Sequence, residues 1–127
     1  MTMPATLEPP PHLAPLVGRI VGFVDTHEHL EEVLRALQPL GFSSSKIVVF
    51  SGEPGLQAVE KLSHEISMND DETELLRFCR SELHAGHFGM EIQVKDHKEA
   101  RLVSEVATPF QARHFTYFGP WFTLRIT

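Results

Sequence analysis

Residues 17–50 read VGRIVGFVDTHEHLEEVLRALQPLGFSSSKIVVF, and the change of rhythm inside that stretch decides the fold. Ile20, Val21, Phe23 and Val24 form a nearly continuous apolar run, as expected of a central strand covered on both faces. Asp25-Thr26 then offers a side-chain cap, and Glu28, three residues after Asp25, completes the pattern of a capping box. Leu30, Val33, Leu34 and Leu37 recur at helical spacing until Pro39-Leu40-Gly41 ends the helix, and Ile47, Val48 and Val49 make a second strand. The stretch is therefore a strand-helix-strand unit.

Downstream the unit recurs after an insertion. Leu56, Val59, Leu62 and Ile66, then Leu75, Leu76, Cys79 and Leu83, predict two helices, with Asn69-Asp70-Asp71-Glu72 as the start of the second. Phe88, Met90, Ile92 and Val94 alternate with Gly89, Glu91, Gln93 and Lys95, which predicts a strand with one wetter face. Asp96 or His97 opens a helix carrying Ala100, Val103, Val106, Ala107 and Phe110. Phe115, Tyr117, Phe122, Leu124 and Ile126 then read as one aromatic-rich last strand around Gly119-Pro120.

The order βαβ, two helices, βαβ predicts an α/β (α+β) domain of the ferredoxin-like kind over residues 17–127. Its four-stranded antiparallel sheet would have the order 4-1-3-2, with the helices on one face. A mixed, flavodoxin-like sheet is the alternative. In the ferredoxin-like case the other face would be partly apolar and exposed, with Val48 and Phe50 beside Glu91, Gln93 and Lys95, and such a face predicts a homodimer or a ligand surface. Residues 1–16 carry Pro4, Pro9, Pro10, Pro11 and Pro15 and read as an extended tail.

Composition narrows the function classes. The 127 residues suffice for one domain, and a net charge of −6 argues against nucleic acid as a partner. Apolar runs are too short for a membrane span, no secretory leader pattern opens the chain, and the single Cys79 excludes an internal disulfide. A soluble protein of a reducing, cytoplasmic setting is expected.

Eight histidines give the chain its chemical interest. In a 4-1-3-2 sheet the end of strand one lies beside the starts of strands three and four, and one edge would gather Asp25, His27, Ser51, Glu53, His84, His87 and His114. His27, His84, His87, His114 and the neighbouring Tyr117 are the expected ligand-binding residues. Asp25, His84 and His87 could hold a divalent transition metal, since imidazole and carboxylate suit such ions and His84-x-x-His87 is a bidentate spacing. Histidines near a helix C-terminus also serve simply to meet the dipole and the last carbonyls, so no cofactor is required by the pattern.

Other motifs read as structure. Val24-Asp25-Thr26-His27-Glu28-His29 resembles the metal-binding opening of the amidohydrolase superfamily, but that superfamily needs a (β/α)₈ barrel of roughly 250 residues. Ser51-Gly52-Glu53-Pro54-Gly55 lacks the Lys and Ser/Thr of a phosphate loop. His87-Phe88-Gly89-Met90-Glu91 places an acid where an RNA-recognition strand wants an aliphatic residue. Cys79 falls on a helical apolar face and reads as core.

Ala85-Gly86-His87-Phe88-Gly89 entering a strand, with Tyr117-Phe118-Gly119-Pro120-Trp121 near the end, resembles a set of short bacterial proteins without assigned activity. Some of these resemble general-stress-protein domains. The resemblance runs from Gly18 to Trp121 and implies a ferredoxin-like fold without an established chemistry. The functional expectation is a small ligand-binding or regulatory module, stress-related and homodimeric. The alternative is a small metal-dependent or acid-base enzyme using the histidine-bearing edge.

Overall fold

A computed structural model describes residues 17–65, 70–119 and 123–126. The first half follows the strand-helix-strand rhythm: β1 (Arg19–Val24), α1 (His27–Leu37) and β2 (Ile47–Ser51). Two helices come next, α2 (Gly52–Glu65) and α3 (Asp70–His84), then β3 (Phe88–Gln93), α4 (His97–Ala107), β4 (Arg113–Phe118) and a short β5 (Thr123–Arg125). No helix among these residues is long and apolar enough to cross a membrane. The expected contributions of Ile66, Asn69, Trp121, Phe122 and the proline-rich residues 1–16 lie outside the described residues.

The sheet is antiparallel throughout, unlike a flavodoxin-like one, and has five strands in the order β2-β3-β1-β4-β5, so the expected four-stranded sheet is corrected by a fifth strand, β5, beside β4. The expected single last strand is in fact two, because Phe118 pairs with Thr123 and the chain reverses between them.

Helices cover both faces of the sheet, not one. On the first face Ile20, Val24, Met90, Ile92, Phe115 and Tyr117 pack beneath Leu30, Val33 and Leu37 of α1 and Ala100, Val103 and Ala107 of α4. On the second, Val21, Phe23, Phe50 and Phe118 pack beneath Ala58 and Val59 of α2 and Leu75, Leu76, Cys79 and Leu83 of α3. The inserted helices thus bury the face that was expected to be exposed, and the argument for a dimer through that face falls with it. Each of the largest side chains, such as Phe23 and Phe115, contributes about 1.5–3 kcal/mol by leaving water.

Register shows how tightly the layers interlock. Val48 does share a face with Glu91, and Phe50 with Gly89. That face is dry, however, so Glu91 is 2% exposed and makes an ion pair with Arg19 at 3.6 Å. Two glycines receive aromatic rings from a neighbouring strand. A Cβ on Gly22 would overlap the ring of Phe115, and one on Gly89 the ring of Phe50.

The helix caps complete the local account. Asp96 caps α4 by accepting from Glu99 N at 2.9 Å, which holds its carboxyl below the usual range. At α1 the cap is Thr26, whose hydroxyl accepts from His29 N at 3.1 Å, and not Asp25 with Glu28. Asp25 is left outside the helix with its carboxylate available for other partners.

Candidate functional site

The site is built by an irregularity in β4. Val21 pairs with Thr116 but Phe23 pairs with Arg113, so β4 carries one residue more than β1 across that interval. His114 absorbs the excess with φ of +57°, a left-handed conformation that non-glycine residues seldom adopt. A bulge of this kind breaks the alternation of side chains and re-aims them. Here it turns two consecutive residues, Arg113 and His114, toward the same helix, α3.

That helix meets the strands with one stripe. Glu74, Phe78 and Glu82 stand at intervals of four and therefore share a face of α3. Arg125 donates from Nη2 to Glu74 at 2.5 Å, the His114 ring lies 4.5 Å from the Phe78 ring, and Arg113 donates from Nη2 to both Glu82 oxygens at 3.0 and 3.2 Å. The contacts grade from wet to dry along the helix. The Glu74 side chain is 62% exposed and that of Glu82 only 9%.

At the dry end four charged or titratable groups converge. Arg113 Nη1 lies 2.5 Å from Asp25 Oδ1, while His87 directs Nδ1 at Glu82 Oε2, 2.5 Å away, and Nε2 at Asp25 Oδ1, 3.5 Å away. Both imidazole nitrogens thus face protein carboxylates. The group ties the ends of β1, α3 and the starts of β3 and β4 together, and the guanidinium stands where a metal reading would need a cation. Among the described residues no three His, Cys, Asp or Glu side chains are grouped so as to hold a metal ion.

The wet end opens into a groove of about 500 Å³ lined by Glu74, Leu75, Arg77, Phe78, His114, Thr116 and Arg125. Leu75 is buried and Phe78 half-buried, giving an apolar wall. Phe78 is itself held edge-on against Phe23, with ring centroids 5.3 Å apart. Such a concavity, apolar with a few polar groups at its rim, has the size and make-up of a small-molecule site.

The expected histidine edge is only partly assembled. Asp25 and His87 do meet, because Val24 pairs with Phe88. His84 is exposed at the end of α3, and His27 turns to Glu31 at 3.3 Å and to the Phe88 ring. Ser51 pairs with Phe88, and Glu53 is exposed in the first turn of α2. His114 faces α3, whereas Tyr117 is buried in the opposite core, beneath α1 and α4. The five expected ligand residues therefore do not line one pocket, since alternation along β4 sends Tyr117 to the other side.

Sequence reasoning missed Glu82, Arg113, Phe78, Arg77 and Arg125. A signal existed for the first two. Glu82 lies beside the apolar stripe of Cys79 and Leu83, and Arg113 begins a strand whose start was expected at this edge. Cys79 is core, as expected, and burial, reinforced by Glu82, pushes its thiol up to about 12.

These features define an α/β protein with a five-stranded antiparallel sheet between two helical layers and a groove on one of them. No family model, curated protein or solved structure matches the chain.

Proposed function

We propose that the protein is a small-molecule binding module whose ligand occupies the groove between α3 and the β4–β5 hairpin. The observation that carries the reading is His114. A non-glycine residue in left-handed backbone costs on the order of 1–3 kcal/mol, and such strain clusters at binding and catalytic sites. In this chain the strained residue presents its ring to a groove of ligand size.

The neighbours β4-β1-β3-β2 within the sheet support reading the architecture as ferredoxin-like with β5 added at one edge. A homodimer belongs to the proposal on a different footing from an exposed face. The last strand on the other side is β2, whose residues Ile47 to Ser51 include no charge, and uncharged edge strands favour pairing between copies.

The test is a thermal-shift screen of small metabolites against the full chain, repeated on His114→Asn. Asparagine tolerates the left-handed backbone, so that variant keeps the bulge while losing the imidazole. Ligands that raise the melting temperature of the wild type and not of the variant support the reading. A broad screen with no such compound sinks it. Native mass spectrometry of the same samples reports whether the chain is dimeric.

A further inference from the structure

Resting on that reading, we infer that the groove selects a small planar organic anion, an aromatic carboxylate. Its wall is a fixed set of flat or apolar groups. Phe78 is braced by Phe23, and the His114 ring stands at 59° to the Phe78 ring, so an aromatic body inserted beside them meets two rings and the Leu75 side chain.

Charge decides what the body must carry. The lining holds one carboxylate, Glu74, and two guanidinium groups, Arg77 and Arg125. Arg125 already donates to Glu74, while Arg77 makes no ion pair with another described residue. Among the described lining residues the arginines therefore outnumber the carboxylates by one, on a chain whose net charge is −6. A ligand carboxylate would take the forked donors of Arg77, which match its two oxygens. Thr116 adds a hydroxyl on the β4 side that can donate to the same group. A cationic ligand would meet two guanidinium groups and a single carboxylate among the described lining residues.

The experiment is an NMR titration of the full chain that follows the His114 ring protons, assigned by comparison with His114→Asn. Three probes share one ring system: 2-naphthoate, neutral 2-naphthamide and cationic 2-naphthylmethylammonium. The expected result is saturable shifts with 2-naphthoate at an affinity at least tenfold above that for the amide, and no saturation with the ammonium. Arg77→Gln, an exposed substitution, is expected to weaken the carboxylate far more than the amide, so that the tenfold preference between them is lost. Equal binding of amide and carboxylate, preference for the ammonium, or indifference to Arg77→Gln overturns the anion assignment while leaving a ligand groove in place. If none of the three probes moves His114, the groove reading fails, and the anion assignment fails with it.

Discussion

The ring of His114 lies 4.5 Å from that of Phe78 and tilted 59° to it, on a backbone that turns left-handed to bring the two together. This contact sits between two ion pairs on the same stripe of α3, Glu74 with Arg125 and Glu82 with Arg113. One extra residue in β4 therefore sets both the groove and the charged cluster beside it. The chemistry of the protein is concentrated along a single helix-strand seam.

Position 114, with its positive φ, responds to backbone preference before side-chain chemistry. His114→Gly should be neutral within about 1 kcal/mol, since relief of strain offsets loss of the ring contact. His114→Val should cost about 1–3 kcal/mol, because a β-branched residue resists positive φ. Urea unfolding of both variants reads the difference, and equal stabilities would contradict the left-handed assignment.

Arg113 and Glu82 should behave as a unit. Arg113→Met leaves a nearly buried carboxylate short of a donor and should cost about 1–3 kcal/mol, as should Glu82→Gln. The double variant should cost clearly less than the sum, by about 0.5–3 kcal/mol of interaction energy. Additive losses in the cycle would show that the pair does not hold β4 to α3.

Gly22 is a packing requirement. Its Cβ would overlap the Phe115 ring, so Gly22→Ala should destabilise by about 1–3 kcal/mol through overpacking. Combining it with Phe115→Leu should recover part of that loss. A fully tolerated alanine would mean that the ring does not lie over the glycine.

Cys79 should be inert in the folded protein. With the thiol pushed up to about 12 by burial first and by Glu82 second, little thiolate exists near neutrality. A thiol reagent at pH 8 should label it only in denaturant. The sign of the pH effect follows from the raised value. The unfolded thiol ionises near 9.0 while the folded one does not, so this group's contribution to stability is complete below about pH 9 and is lost between there and about 12. Rapid native labelling would place the thiol at the surface instead.

The sequence by itself determined the elements and one meeting point. Apolar rhythm located β1, α1, β2, α3, β3 and α4, because helix and strand periods are local properties of neighbouring residues. The juxtaposition of Asp25 and His87 followed from strand order. The nearly continuous run Ile20, Val21, Phe23 and Val24 even signalled a strand covered on both faces. Only the tertiary structure decided what does the covering: α2 and α3 take the second face, so Glu91, polar in the alternation of β3, is buried against Arg19. It also decided the bulge. Local rhythm sends Arg113 and His114 to opposite faces, and only the shifted register of β4 on β1, Arg113 opposite Phe23 but Thr116 opposite Val21, turns both toward α3. A register between distant strands is set by packing on both sides of the sheet, and no local pattern in β4 records it.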